Sequence, residues 1–117
     1  MENSLASLTA EIVQFRDERD WAQFHTPKNL AAALSIEAGE LQETMLWKSD
    51  VEVADLLASP RSKTVQHEVA DILIYALLIC HSMAMDPAFV IREKLELNRE
   101  KYPADKARGR SDKYTNL

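Results

Sequence analysis

The chain has 117 residues and a formal net charge of -5, and 46% of its residues are hydrophobic and 28% are charged. This length and balance are typical of a single folded domain and exclude a disordered chain, and the acidic charge argues against binding to nucleic acid. The longest apolar run, Ile72–Cys80, has nine residues and is too short to cross a membrane. The single cysteine excludes an intrachain disulfide, and no secretory signal is visible, so we expect a cytoplasmic protein.

The few glycines and the positions of the prolines predict an all-α fold. Only two glycines are present, whereas sheet proteins need this residue in their tight turns. Three prolines follow residues that commonly cap helices, in the pairs Thr26-Pro27, Ser59-Pro60 and Asp86-Pro87. We therefore predict helices over residues 4–23, 27–48, 60–84 and 87–101, a short helix within 49–58 capped by Ser49 or Asp50, and a basic polar tail from about 103.

Apolar spacing predicts which helix faces are buried. In the second predicted helix the stripe is Leu30, Leu34, Leu41 and Met45, and in the third it is Val65, Val69, Ile72, Ala76, Ile79 and Met83. The third helix is apolar on all sides, and such a helix must be covered on several faces. We infer that a second copy of the chain covers part of it; the alternative is a central helix wrapped by its own neighbours. The expected architecture is one domain, residues 1–117, forming a four-helix-bundle-like subunit of a homo-oligomer.

Acidic residues interrupt these stripes. Glu37 and Glu40 project from one face of the second helix, and Glu68 and Asp71 repeat the same spacing in the third. Burying like charges without partners is costly, so two such pairs are best explained if they face each other and share a cation. Gly39 lies between the first pair and suggests close approach by another helix or a ligand.

The residue types indicate which metal would bind. A set of four carboxylates without histidine or cysteine favours Mg²⁺, or Mn²⁺ as a substitute, over zinc, and the Glu-x-x-His pattern of di-iron bundles is missing at these four positions. The alternative is a set of solvated charges on helix faces. Glu43, one turn further along, is either another ligand or simply exposed.

Other residues suggest what the metal would meet. Residues 92–117 carry a net charge of +3 and residues 1–91 a net charge of -8, so the C-terminal part is suited to a polyphosphate or is a solvated tail. Trp21 and Trp47 flank the second helix, and each packs in the core or stacks on a nucleobase.

Several ordered motifs extend from about Leu8 to Leu117. They are EAGE (37–40), EVAD within HEVADILIY (67–75), RDWAQFH (19–25), PKNL (27–30), WK (47–48), NR (98–99) and KYPA (101–104). Together they resemble the MazG-like all-α NTP pyrophosphatases, and within that family the dCTP pyrophosphatase branch.

The resemblance implies a Mg²⁺-dependent hydrolase that converts a nucleoside triphosphate to the monophosphate and pyrophosphate, removing unwanted nucleotides from the pool. It implies a dimer or tetramer. From the acidic charge and the short apolar run we expect neither nucleic acid nor a membrane as a partner. Glu37, Glu40, Glu68 and Asp71 match the catalytic, metal-binding carboxylates, and Trp21 and Trp47 match the residues that enclose the base. Positions near the sugar and phosphates are matched by Tyr75, Lys94, Asn98 and Tyr102.

Several alternatives stay open. The family pattern has a polar base-contacting residue near the position of Ile12, so the preferred base remains open between cytosine, including 5-modified forms, and adenine. Other substrates for the same scaffold are dUTP, a broader range of NTPs, or (p)ppGpp. A different class of function is a non-catalytic acidic helical module that binds a basic protein. His25 matches the family pattern and is either structural or catalytic.

Overall fold

The chain folds almost entirely into helices. The computed structural model describes residues 3–117, and within this range it contains α-helices and short 3-10 helices but no strand. The α-helices are α1 (Leu5–Asp17), α2 (Pro27–Met45), α3 (Asp50–Leu57), α4 (Ser62–Ser82), α5 (Pro87–Lys101) and α6 (Ala104–Ala107), and the 3-10 helices are Ala22–Phe24 and Tyr114–Asn116. The prediction of an all-α protein is confirmed.

Capping residues determine where the helices begin. Thr26 and Asp86 cap α2 and α5 through their side chains, each directly before a proline, as predicted. Ser49 caps α3 in a reciprocal arrangement with Glu52, in which each side chain accepts a hydrogen bond from the other residue's backbone N–H. These local interactions satisfy backbone donors that the first helical turn leaves free.

Several of the approximate predicted boundaries are wrong. The second long helix ends at Met45 and does not reach residue 48, since Leu46 is extended. The third long helix begins at Ser62 because Ser59 does not cap it; its hydroxyl accepts a hydrogen bond from the Arg61 backbone N–H in a turn. The first helix ends at Asp17 and does not reach residue 23, since Asp20 adopts a left-handed conformation with φ 55°. An L-residue in that conformation cannot continue a right-handed helix.

The chain divides into two units, one ending at Ala84 and the other spanning Met85–Leu117. In the first unit α1, α2 and α3 all pack against α4. The buried core consists of Leu30, Leu56, Val65 and Leu78. Val69 and Met83, predicted to be buried, are 40% and 52% exposed.

The second unit contains α5, α6 and the C-terminal 3-10 helix. The rings of Tyr102 and Tyr114 meet edge to face with centroids 6.0 Å apart, and the Lys101 ammonium lies 5.0 Å from the centre of the Tyr114 ring. Across residues 3–117, no single helix is both long enough and apolar enough to cross a membrane.

Candidate metal centre

The packing of α2 against α4 brings acidic side chains together. Glu37 and Glu40 lie one turn apart on α2, and Glu68 lies on α4. One carboxylate oxygen from each of the three lies within 4.8 Å of the other two. We call these three residues the carboxylate cluster. Asp71, the fourth predicted carboxylate, is not part of the cluster, but its charge acts on Glu37.

The cluster is electrostatically unsatisfied. Glu37 Oε2 and Glu68 Oε2 are buried and have no hydrogen-bond partner in the described part of the chain. The pKa of Glu37 is raised from 4.5 to about 7, first by burial and then by side-chain hydrogen bonding with Glu40 and Glu68 and by the charges of Glu40 and Asp71. A hydrogen bond between two carboxyl groups needs a proton on one of them, so the raised pKa and the unpartnered oxygens reflect the same crowding.

This arrangement fits a divalent cation. Its donors are hard carboxylate oxygens, which Mg²⁺ and Mn²⁺ prefer, and a bound cation would remove the repulsion between the crowded charges. The unpartnered oxygens of Glu37 and Glu68 are free to act as ligands. Glu40 is exposed, which keeps one side of the cluster open to solvent or to a substrate.

Gly39 and Glu43 lie on α2 next to the residues of the carboxylate cluster. Among the described residues, no other helix lies within 4 Å of the position that a Cβ on Gly39 would occupy. Of the two predicted reasons for this glycine, close approach by a ligand remains a prediction. Glu43 is exposed and is not part of the carboxylate cluster. The exposed interpretation of Glu43 is therefore favoured.

A cavity of about 250 Å³ adjoins the carboxylates. Its lining combines rings and aliphatic side chains with a few polar groups: Ile12, Phe15, Arg16, Trp21, His25, Asp71, Ile74, Tyr75 and Leu78. Asp71 links the cavity to the carboxylate cluster, because it lines the cavity and its charge also raises the pKa of Glu37. We call this space the Trp21 cavity.

Two of the residues predicted to contact a nucleotide line the Trp21 cavity. The Trp21 ring meets Phe15 edge to face, with centroids 5.8 Å apart, and 43% of the residue remains exposed. Burial raises the pKa of Tyr75, and the charges of Glu37, Asp71 and Glu40 raise it further. Tyr75 therefore lies beside the acidic groups, and Trp21 provides an aromatic wall.

The other predicted contacts lie elsewhere. Trp47 follows the end of α2 in a left-handed conformation with φ 63°, is 92% exposed and does not line the Trp21 cavity. Lys94 and Asn98 lie on α5, and Tyr102 caps the C-terminal end of that helix. These three residues belong to the second unit.

Two polar residues of the Trp21 cavity were not assigned to a site from the sequence: Arg16 was not recognised, and the role of His25 was left open. Arg16 escaped notice, although it follows Ile12 by one turn of α1 and so shares its face. His25, whose role was left open, also lines the cavity, and its Nδ1 is buried without a partner in the described residues. Burial, and then the charge of Arg16, lowers the pKa of His25, which keeps the imidazole neutral near pH 7.

The fold and the site together define an all-helical protein with a carboxylate-lined helix pair beside an aromatic cavity. A model of the MazG-like family matches residues 32–117. The chain is similar to the human protein named dCTP pyrophosphatase 1, with 43% identity over 105 residues, and to the bovine protein of that name, with 42% identity over the same length. Each match covers 89% of this chain and 62% of the relative.

The chain is also similar to a protein of solved structure. A pyrophosphatase from Archaeoglobus fulgidus is 38% identical, superimposes with a TM-score of 0.80, and is matched over 88% of this chain and 95% of its own. The chain therefore belongs to the MazG-like family.

Proposed function

We propose that this protein is a nucleoside triphosphate pyrophosphohydrolase that uses Mg²⁺ to convert dCTP, or a 5-modified dCTP, to the monophosphate and pyrophosphate. The observation that carries the proposal is the position of Asp71. It lines a cavity suited to a base, and its charge acts on Glu37 in a carboxylate cluster suited to a metal. The similarity to proteins named dCTP pyrophosphatase 1 and to an archaeal pyrophosphatase supports it.

The proposed binding mode follows the chemistry of the two regions. The aromatic and aliphatic wall of the Trp21 cavity suits a planar base, and Trp21 is placed to stack on it or to close its edge. Tyr75 lines the cavity within the influence of the acidic charges and is assigned to the sugar. The triphosphate would then extend toward the carboxylate cluster.

Hydrolysis would occur at the carboxylate cluster. Mg²⁺, when bound, neutralises charge on the phosphates and makes a water molecule more acidic. Glu37, Glu40, Glu68 and Asp71 would hold it, and one carboxylate of the Glu37–Glu40 pair would accept the proton of the water that attacks the α-phosphorus. The Pα–O bond to the β-phosphate breaks, and pyrophosphate leaves.

The C-terminal unit supplies further proposed contacts. On the family resemblance, we assign Lys94 to the leaving phosphates, where an ammonium group would stabilise the developing negative charge. On the same basis, Asn98 and Tyr102 are assigned to the sugar and phosphates.

We also propose that the chain acts as a dimer or tetramer. In the first unit Ile36, Leu73 and Ile74 are 62%, 59% and 37% exposed, so apolar surface on α2 and α4 lacks a cover within the described chain. Trp47 is too exposed to enclose a base unless another copy completes its surroundings. Sedimentation equilibrium would test this: a monomer at micromolar concentrations would contradict it.

Replacing Trp47 by alanine should raise KM and leave the fold unchanged. The side chain is 92% exposed, so its loss creates no cavity in the subunit. Aromatic stacking on a base is worth about 1–3 kcal/mol, so the KM for dCTP should rise about tenfold or more while kcat changes little. Steady-state kinetics and a thermal melt measure both effects, and an unchanged KM would remove Trp47 from the site.

Substrate profiling tests the proposed function directly. Pyrophosphate release is measured with dCTP, 5-methyl-dCTP, dATP, dUTP, ribonucleoside triphosphates and (p)ppGpp, each with Mg²⁺ or with EDTA. The expected result is Mg²⁺-dependent release that is fastest with the cytosine nucleotides. Preference for another nucleotide would change the assigned base, and no release from any of them would favour the non-catalytic binding module.

A further inference from the structure

Arg16 is the only arginine or lysine among the described residues that line the Trp21 cavity. Its side chain is only 14% exposed. Its Nε donates a hydrogen bond to Asp17 Oδ1 at 2.9 Å, and its Nη2 lies 2.8 Å from the same oxygen. Asp17 therefore fixes the orientation of the guanidinium group.

These contacts use one edge of the guanidinium and leave another free. Asp17 engages the edge formed by Nε and Nη2, and within residues 3–117 Nη1 makes no hydrogen bond or ion pair. The remaining N–H groups of Nη1 and Nη2 form a planar fork that can donate two parallel hydrogen bonds. An occupant of the cavity with two adjacent acceptors would match this fork.

Among the pyrimidines, cytosine alone has that pattern. Its N3 and O2 are neighbouring acceptors, whereas uracil and thymine carry an N–H donor at N3 between two carbonyl groups. A guanidinium fork reads neighbouring acceptors of a base in the same way in protein–DNA complexes. Placed against uracil, the fork would meet one acceptor and one donor, and one of its own N–H groups would lose its partner.

We propose that Arg16 determines base specificity by donating two hydrogen bonds to N3 and O2 of cytosine, and that Asp17 is the positioning residue that orients it. This inference rests on the proposed hydrolysis of nucleoside triphosphates and adds how the base is selected. Ile12, Ile74 and Leu78 line the same cavity and offer a base edge no competing hydrogen bond, so the guanidinium group would supply the polar contact there.

The test is the ratio of kcat/KM for dCTP to kcat/KM for dUTP in four proteins. They are the wild type, Arg16→Ala, Arg16→Lys and the control Arg61→Ala. Arg61 is an exposed arginine whose side chain makes no capping bond at the start of α4, and its substitution removes the same charge. Far-ultraviolet circular dichroism confirms that each variant is folded.

We expect the dCTP-to-dUTP ratio to fall about ten- to one-hundredfold in Arg16→Ala. Arg16→Lys should lose nearly as much, since an ammonium is a point charge without the fork, and it also covers the case in which the alanine variant fails to fold. Arg61→Ala should keep the wild-type ratio. A loss of equal size for both nucleotides would overturn the proposal and assign Arg16 to the phosphates, and an unchanged ratio would leave Arg16 a structural role.

Assays of the wild type distinguish the proposed role of Arg16 from the proposed pyrophosphohydrolase function. Pyrophosphate release at equal kcat/KM from dCTP and dUTP would overturn the role of Arg16 and leave the pyrophosphohydrolase proposal intact. No release from either nucleotide, or from the rest of the substrate panel, would overturn the proposed function itself.

Discussion

Glu68→Gln is expected to lower kcat/KM for pyrophosphate release by a factor of about 10²–10³ or more. Glu68 Oε2 is buried without a hydrogen-bond partner in residues 3–117, and it reaches the carboxylates of α2 across the helix pair. Glutamine keeps the shape of the side chain and its helix propensity but removes a charged ligand. Circular dichroism should therefore show a folded protein, and a continuous pyrophosphate assay should show the loss.

Glu43→Gln is the matched control for this loss. Glu43 lies on α2 beyond the carboxylate cluster and is exposed, so the same change of charge should leave kcat/KM within about twofold of the wild type, as is usual for surface substitutions. Asp71→Asn tests the fourth proposed ligand in the same assay. Full activity in both Glu68→Gln and Asp71→Asn would show that the assignment of the metal is wrong.

Mg²⁺ is expected to raise the melting temperature of the nucleotide-free protein by about 5–15 °C when present at about a hundred times its dissociation constant. On the proposed function, the cation would bind the folded cluster and relieve the repulsion among Glu37, Glu40 and Glu68, which the unfolded chain does not hold together. Differential scanning fluorimetry across a Mg²⁺ titration measures the shift.

The pH dependence of this stabilisation follows from Glu37. Its folded pKa of about 7 lies above its ordinary value of 4.5, so the folded protein without metal binds the proton more tightly than the unfolded chain does. This contribution to stability is complete below pH 4.5 and is lost as the pH rises through 7. Mg²⁺ needs deprotonated ligands, so its stabilising effect should be larger at about pH 8 than at about pH 5.

Glu37→Gln provides the control for both effects. In this variant, which lacks an ionisable group at position 37, the melting temperature of the EDTA-treated protein should decrease much less between about pH 4.5 and pH 7 than in the wild type. The increase in melting temperature caused by Mg²⁺ should also be smaller. Glu43→Gln should retain both. Equal melting temperatures of the wild type with Mg²⁺ and with EDTA at about pH 8 would contradict a metal site at the cluster.

The regular parts of the site could be predicted from the sequence because helix periodicity is local. Residues three apart on a helix share a face, so Glu37 and Glu40 could be paired without knowing the fold. The apolar stripes then placed α2 against α4, which brought Glu68 to the same point. Thr26 and Asp86 were recognisable as caps for the same reason, since capping depends on a few neighbouring residues.

The irregular parts could not be predicted, because they depend on backbone conformations and tertiary contacts. The left-handed conformations of Asp20 and Trp47 end α1 early and turn the chain after α2. Aspartate is enriched in this conformation, but the sequence does not show which aspartate adopts it, and tryptophan has no such preference. From the sequence alone, Arg16 is indistinguishable from an ordinary exposed charge. Only the packing of α1 on α4 shows that it lines the Trp21 cavity. The family resemblance indicated Trp47 as a base contact, but Trp47 is 92% exposed and does not line the Trp21 cavity.

The most direct test of the central claim is product analysis of dCTP hydrolysis in ¹⁸O-labelled water, with Mg²⁺ and with EDTA. With Mg²⁺, we expect dCTP to yield dCMP and pyrophosphate in equal amounts. The label should enter dCMP, because water attacks the α-phosphorus, and EDTA should stop the reaction. Formation of dCDP and phosphate, label in pyrophosphate, or turnover that EDTA does not affect would contradict it.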